Sequence, residues 1–257
     1  MTLVSYSAVQ NSYLLEIAVD TLDRALAAER GGAHRIELCR ELSNGGLTPS
    51  VELMRLAREQ VRLPIFAMIR PRAGDFAYSE ADFTEMHRDV TVAAQMGMDG
   101  LVLGIIADGG RVDIERTRRL VELARPLPVT FHRAFDVTAD PRKALEDVIR
   151  TGAVRVLTSG GAASAQAGVG RLTNLVEAGS TRIVVMPGGG ITAMNVAHIA
   201  TTGAREFHAG LSSVSADGEP DERRFEEQVR KLATTLAAYA AGNIRRNEKD
   251  SQRGHRQ

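Results

Sequence analysis

The segment VTFHRAFD at residues 129–136 joins a strand-like start to three side chains that can do chemistry. Its first three residues are β-formers, and His132, Arg133 and Asp136 follow at the point where the strand should end. A histidine can exchange a proton near neutral pH, an arginine can bind an anionic group, and an aspartate can orient either of them. The grouping therefore predicts acid–base chemistry on an anionic molecule.

Charged side chains also lie in three earlier segments that have the character of strands. Glu16 lies in LLEIAV, Glu37 in RIELC, and Arg70 ends PIFAMIR. Side chains alternate between the two faces of a strand, and the apolar neighbours of these residues and of His132 place all four on an inner face. Opposite charges in a confined space shift one another's pKa values, as acid–base catalytic sites require. We therefore predict Glu16, Glu37, Arg70, His132 and Asp136 as catalytic candidates; the alternative is an ion-pair network that only fills the interior.

Glycine-rich segments follow three later strand-like runs: TSGG at 158–161, MPGGGI at 186–191 and AGLSS at 209–213. Backbone amides in such loops bind phosphate groups in many barrel proteins, although glycines also serve as plain turns. We therefore predict an anionic substrate, with phosphate as one candidate group. The substrate-binding candidates are Arg72, Asp75, Arg133, Thr158, Ser159, Gly160, Gly188, Gly189, Gly190 and Ser212.

These side chains require a scaffold that brings many strand ends together. Strand-like runs recur along the chain at 14–19, 35–39, 64–70, 100–105, 129–134, 154–160, 182–188 and 206–211. The intervening segments have helical periodicity: in PRKALEDVIRTG, Ala144, Leu145 and Val148 share one face, and Gly152 suits the C-terminal end. Eight strand–helix units in 257 residues predict a single-domain (β/α)8 TIM barrel. The alternative is an open doubly wound sheet, but no GxGxxG segment follows the first strand.

The composition restricts the domain boundaries and the partners. Polar ends predict an N-terminal extension over 1–13 and a disordered tail over 242–257, which leaves the barrel at 14–241. Lys plus Arg and Asp plus Glu both number 32, and this balance argues against nucleic-acid or membrane-surface binding. No long apolar run or signal-peptide pattern is present, and one cysteine excludes an intrachain disulfide. We therefore predict a cytoplasmic protein that binds a small molecule or a metal ion and that could form homo-oligomers.

Several of these stretches together resemble the CutC family, whose members are named copper homeostasis proteins. The resemblance is carried by LLEIAV, GGAHRIELC, GGLTPS, IRPRAGDFAYS, GLVLG, VTFHRAFD, RVLTSGG and the GGGI loop, within residues 14–213. It implies a TIM barrel, a cytoplasmic location and a role in copper homeostasis, with copper as the bound ion. Cu(I) prefers thiolate and thioether ligands, and the matched stretches supply Cys39, with Met68 as a second soft donor. Ala18 and Val19 stand where some relatives have cysteine.

Two functions therefore compete. The first is copper binding that depends on Cys39, for which the alternative is a small buried core residue. The second is an isomerase, lyase or hydrolase that acts on an anionic substrate at the carboxyl end of the barrel. A divalent ion such as Zn²⁺ or Mn²⁺ held by Glu16, Glu37 and His132 would reconcile the two, whereas the isolated His208 is interpreted as a core histidine. A purely structural or oligomeric interaction protein is disfavoured by the charged strand ends.

Overall fold

The computed structural model describes residues 13–212 and 221–254 and shows a barrel of eight parallel strands. The strands are β1 (Leu14–Val19), β2 (Arg35–Leu38), β3 (Ile65–Met68), β4 (Gly100–Leu103), β5 (Val129–Phe131), β6 (Arg155–Thr158), β7 (Val184–Pro187) and β8 (Glu206–Gly210). Strands that follow one another in the chain pair from β1 to β7, and β8 pairs with β1. A bridge between Gly188 and His208 joins the ends of β7 and β8. The TIM-barrel prediction is confirmed.

Helices cover the outside of the barrel. They are α1 (Leu22–Gly31), α2 (Val51–Gln60), α3 (Glu80–Gln95), α4 (Ile114–Ala124), α5 (Pro141–Thr151), α6 (Val169–Gly179), α7 (Val196–Ala200) and α8 (Glu222–Gly254). A small hairpin, Ile106–Ala107 with Arg111–Val112, follows β4. Among the described residues, no helix has both the length and the apolar character needed to cross a membrane.

Helix α5 illustrates how the local sequence sets these elements. The Asp140 carboxylate accepts hydrogen bonds from two backbone N–H groups of the first turn, at 3.0 and 3.1 Å, and Pro141 occupies the first helical position. At the other end Gly152, with φ of 86°, adopts the left-handed conformation that turns the chain toward the next strand. Leu145 and Val148 are buried in the layer between the helices and the strands, as the periodicity predicts.

Strand β5 is shorter than the predicted run of 129–134. It ends at Phe131, and a 3₁₀ helix follows at Arg133–Val137. The reason is local, because the imidazole of His132 accepts a hydrogen bond from the backbone N–H of Ala134 at 3.2 Å and so begins a turn. The strand therefore delivers His132 to the carboxyl end of the barrel and then stops.

The two ends of the domain also differ from the expected boundaries. Helix α8 continues to Gly254 and so extends past residue 242, where we placed the start of a disordered tail. Tyr13 is buried, and its ring centroid lies 5.9 Å from that of Tyr239 in α8. Residues 1–12 of the predicted extension and 255–257 of the predicted tail lie outside the described residues.

Candidate active site

A layer of paired charges crosses the interior near the amino ends of the strands. Arg35, Arg155 and Glu206 are the first residues of β2, β6 and β8. Arg35 donates hydrogen bonds to Glu16 and, at 2.7 Å, to Glu206, which also accepts bonds of 2.6 and 3.2 Å from Arg155. The ring of Phe66 lies 4.8 and 5.5 Å from the two guanidinium groups. The ion-pair network that we considered as an alternative is therefore present, and it includes Glu16.

Glu16 connects this network to His208. The two residues are paired across β1 and β8, and Oε1 of Glu16 lies 2.8 Å from Nδ1 of His208. Burial alone would raise the pKa of Glu16, but Arg35 and His208 together outweigh it and hold this pKa at about 2. Glu16 is therefore ionised with both oxygens engaged, and it orients the other ring nitrogen of His208 toward Glu37.

Glu37 is buried with an incomplete set of partners. Its Oε1 lies 3.9 Å from Nε2 of His208, and its Oε2 has no hydrogen-bond partner within the described residues. Burial raises the pKa of Glu37 to about 7; the charge of Glu16 acts in the same direction, and His208 opposes it. A carboxyl group with a pKa near neutrality can both accept and return a proton.

Arg70 is a buried guanidinium without a carboxylate partner among the described residues. Its Nη1 donates to the carbonyl oxygens of Asn44 and Gly46 at 2.8 and 3.1 Å, and Nη2 donates to Gly74 O at 2.9 Å. The group also lies 4.9 Å from the ring centroid of Phe76. Its Nε has no hydrogen-bond partner in residues 13–212 and 221–254. These neutral contacts hold the side chain in place and leave its positive charge uncompensated.

His132 is buried as an uncharged imidazole. Burial, together with the nearby charge of Arg70, lowers the pKa of His132 to about 3. Because Nδ1 accepts the bond from Ala134, the ring proton lies on Nε2. Nε2 has no hydrogen-bond partner in the part of the chain that the structure describes. Gly104 makes room for the ring, since a Cβ at that position would lie 2.6 Å from Nδ1.

Glu37, Arg70 and His132 line one cavity of about 230 Å³ at the carboxyl end of the barrel. Five buried side-chain polar atoms lack a partner among the described residues, and three of them belong to this trio: Glu37 Oε2, Arg70 Nε and His132 Nε2. Met68 and Phe76 add apolar wall. Buried polar atoms are normally paired, so three residues that line one cavity and each have an unpaired polar atom indicate a place for a ligand.

Asp136 organises the loop after β6 and does not line the cavity. Its carboxylate accepts hydrogen bonds from Arg133 Nε at 2.8 Å, from the backbone N–H of Ser159 at 3.1 Å and from the Thr158 hydroxyl. Asp136 therefore orients Arg133, as one of the sequence alternatives supposed, and it does not contact His132 through any hydrogen bond of the described residues. The predicted substrate-binding residues Thr158, Ser159 and Gly160 shape the same loop and do not line the cavity.

The loop after β7 reaches the rim of the cavity. Gly189 and Gly190 have φ values of 103° and 71°, which favour glycine, and both line the cavity, as does Arg133. Gly188 packs inward, where a Cβ would lie 2.4 Å from a leucine side chain of β6. Ser212 is exposed and lines a separate surface pocket. Only part of the predicted phosphate-binding surface therefore faces this cavity.

Arg72 and Asp75 lie on the loop after β3 and outside the cavity wall. Arg72 donates to Asp75 at 2.9 Å and to Asp82 at 3.2 Å, and it lies 5.2 Å from the ring centroid of Tyr78. The Asp75 side chain is 74% exposed. Contact between Asp75 and a bound molecule would require this loop to move.

The copper prediction depends on Cys39, whose thiol is buried. Its Sγ donates to the carbonyl oxygen of Val19 at 3.4 Å, and burial raises the pKa of the thiol far above its usual range. Met68 is close by, because a Cβ at Gly46 would lie 3.3 Å from Cys39 Sγ and 3.5 Å from Met68 Cε. Cu(I) prefers thiolate and thioether ligands, and Cys39 with Met68 supplies one thiol and one thioether. The buried thiol would have to release its proton to bind copper, so this small donor set fits a copper site poorly.

A harder metal ion such as Zn²⁺ or Mn²⁺ would have a different set of candidate ligands, in which His208 stands in place of the predicted His132. Ligand atoms of Glu16, Glu37 and His208 lie within 4.8 Å of one another. Glu16 is already engaged by Arg35 and His208, which leaves one carboxylate and one ring nitrogen. Zinc sites use three or four protein ligands, so the available donors are too few. The cluster that the structure brings together therefore contains His208 and not the predicted His132.

His208 is the residue that sequence analysis undervalued. It lines the cavity and contacts Glu16, although we interpreted it as an isolated core histidine. Alternation in EFHAGL does place His208 on the inner face, opposite to Phe207 and Ala209. The strand register that pairs it with Glu16 could not be derived from that pattern.

The fold and the site define a (β/α)8 barrel with a charged cavity at the carboxyl end of its strands. The CutC family model matches residues 13–213, and the chain belongs to the CutC family. It is 47% identical over 209 residues to the human "Copper homeostasis protein cutC homolog", across 81% of this chain and 77% of the human protein. A CutC family protein of Xanthomonas campestris is 50% identical over 196 residues, across 76% of this chain and 82% of that protein. The crystal structure of the putative copper homeostasis protein CutC from Streptococcus agalactiae is similar with a TM-score of 0.73 and 31% identity, across 77% of this chain and 98% of that one.

Proposed function

We propose that this chain is an enzyme that performs acid–base chemistry on a small anionic molecule at the carboxyl end of the barrel. The observation that carries the proposal is that Glu37, Arg70 and His132 line one cavity and that each has a buried polar atom without a hydrogen-bond partner among the described residues. A buried polar atom without a partner costs free energy. A ligand that formed hydrogen bonds with all three residues would remove that cost. This supports a binding site rather than a set of charged residues that only fills the barrel interior.

Arg70 supports an anionic ligand in particular. An unpaired buried charge is unfavourable by several kcal/mol, and the described contacts of this guanidinium are with carbonyl oxygens and an aromatic ring. An anion in the cavity would provide the missing counter-charge. Two glycines of the β7 loop with positive φ, Gly189 and Gly190, allow close approach of the backbone to that anion.

Glu37 supports proton transfer as the chemistry. Its pKa of about 7 allows either protonation state at neutral pH. The cavity of about 230 Å³ is smaller than drug-sized ligand pockets, which begin at roughly 300 Å³, and so suits a small metabolite. No lysine of the described residues lines it, which argues against Schiff-base chemistry and favours an isomerase, lyase or hydrolase that works through proton transfer.

The test is ligand-induced thermal stabilisation with inorganic phosphate and 2-phosphoglycolate as probes. We expect a saturating probe to raise the Tm of the wild type by roughly 5 °C. Arg70→Met should lose the shift, and Arg70→Lys, which keeps the charge but not the planar fork, should retain part of it. The surface variant Arg118→Met is the matched control and should behave as the wild type. Equal shifts in Arg70→Met and the wild type, or none in either, would refute the proposal.

Copper handling is the second candidate, and the name carried by the relatives favours it. The test is a Cu(I) competition titration with a chromogenic chelator under reducing conditions, comparing the wild type with Cys39→Ala. Because the thiol is buried and its pKa is raised, we expect no stoichiometric binding that depends on Cys39. One equivalent of Cu(I) that is lost in Cys39→Ala would instead support copper handling. A cytoplasmic location and homo-oligomer formation stay predictions.

A further inference from the structure

We infer that His132 donates a hydrogen bond from its Nε2–H to a carbonyl oxygen of the substrate, which is therefore a small carbonyl compound that also carries an anionic group. The inference rests on the proposed function and deepens it. It assigns the reaction as proton transfer at the carbon next to that carbonyl.

The hydrogen bonding of the imidazole determines its role. Nδ1 is occupied by the backbone N–H of Ala134 at 3.2 Å, so the ring proton lies on Nε2. An imidazole in this state cannot take a proton through Nε2, because that nitrogen already holds one. It can act as a donor, and the described residues offer that donor no acceptor.

The surroundings keep this donor uncharged and fixed. The imidazole lies 5.0 Å from the ring centroid of Phe76, whose face also carries the guanidinium of Arg70. A positive charge nearby opposes a second one on the ring. Gly104 leaves the space in which the ring sits, since a Cβ there would lie 2.6 Å from Nδ1 and 2.9 Å from Cε1. A fixed neutral donor of this kind stabilises an oxygen that gains negative charge during enolisation.

Glu37 is placed to be the base. It lies on β2, whereas His132 follows β5, and β3 and β4 separate these strands in the barrel order. The two groups therefore face the cavity from different sides, and a small molecule bound to Arg70 can lie between them. The Glu37 carboxylate takes the proton from the carbon beside the carbonyl. The C–H electron pair forms a carbon–carbon double bond, and the carbonyl π pair moves to the oxygen held by His132. Return of a proton from Glu37 restores the carbonyl compound, so no oxidant or reductant is needed.

The first test examines His132 without any substrate. Nitrogen-15 NMR of the histidine rings, assigned by the signal lost in His132→Gln, should show a neutral ring protonated at Nε2 from pH 5 to pH 8. An Nδ1–H tautomer, or a charged ring at pH 7, would overturn the inference.

The second test measures exchange of the α-proton with D₂O by proton NMR, with glycolaldehyde phosphate and dihydroxyacetone phosphate as probes. We expect exchange with the wild type, and a loss on the order of 100-fold in His132→Ala. Gly104→Ala should also slow exchange because its Cβ displaces the ring, whereas His87→Gln, on the exposed face of α3, should not. A probe that raises the Tm of the wild type but shows no exchange overturns this inference and leaves the proposed function standing. If neither probe binds, both fall.

Discussion

Two buried arginines distinguish the structural part of the barrel interior from the candidate site. Arg35 meets two carboxylates, those of Glu16 and Glu206, and its charge is balanced within the protein. Arg70 is equally buried, yet its hydrogen bonds go to carbonyl oxygens, and among the residues described by the structure its Nε has no hydrogen-bond partner. Alternation predicts that Arg70 points inward, but it does not predict whether the charge of Arg70 is neutralised, because that depends on partners from other strands.

Glu37→Gln should stabilise the protein, and the gain should depend on pH. The pKa of Glu37 is raised from 4.5 to about 7 in the folded protein. Ionisation therefore costs the folded state nothing below pH 4.5, and the cost grows as the pH rises to about 7 and then stays constant. We expect the variant to gain on the order of 3 kcal/mol over the wild type between pH 4.5 and pH 8, measured by urea unfolding.

The exposed variant Glu85→Gln serves as the control for this pH dependence. It should show a constant stability difference from the wild type across the same range. A Glu37→Gln gain that is independent of pH, or that decreases as the pH rises, would show that Glu37 ionises freely in the folded protein. The raised pKa would then no longer support its role in proton transfer.

At the scale of elements, most of the barrel strands are shorter than the predicted runs, and the loops that follow them position several of the polar side chains. Strand β5 stops at Phe131 because His132 turns the chain through its own side chain. The apolar start of VTFHRAFD predicts the strand, and its polar end predicts that reactive side chains lie at the start of the following loop. Neither pattern predicts that the Asp136 carboxylate accepts hydrogen bonds from the loop after β6, because those bonds form only when the fold brings that loop within hydrogen-bonding distance.

Asp136→Asn should therefore loosen the loop after β6. The amide would present an NH₂ group to donors that now meet a carboxylate, among them the backbone N–H groups of Ser159 and Gly161 at 3.1 and 3.0 Å. We expect a loss of about 1–3 kcal/mol in the free energy of unfolding and faster amide hydrogen exchange at Ser159 and Gly161. Asp108→Asn, on the exposed turn of the small hairpin, is the control. Unchanged exchange at both amides would contradict this account of the loop.

At the scale of the whole molecule, the repeated strand–helix units made the barrel predictable, but the register between its strands could not be predicted. Eight strand–helix units determine a closed ring, and the eight barrel strands fall within the eight predicted runs, whereas the two hairpin strands do not. The pairing of Glu16 with both Arg35 and His208 follows from the register of three strands. Local patterns do not encode this register, so the charged network could be proposed as an alternative but its members beyond Glu16 could not be named.

The network should show strong coupling between its members. Glu206→Gln would leave Arg155 buried without a carboxylate, and removal of one partner of a buried pair costs about 3–5 kcal/mol. The double variant Arg155→Met/Glu206→Gln removes one charge of each sign and leaves Arg35 paired with Glu16. We therefore expect the double variant to be more stable than Glu206→Gln alone in urea unfolding. A double variant that loses as much as the two single variants together would mean that the charges act independently.

The most direct measurement is a crystal structure of the wild type grown with 2-phosphoglycolate. The account predicts an anion in the 230 Å³ cavity, within hydrogen-bonding distance of Arg70 Nε and His132 Nε2 and in contact with Glu37. A cavity that holds only water at a saturating concentration of the probe, with the anion absent or bound elsewhere, would contradict the claim that these three side chains form a site for an anionic ligand.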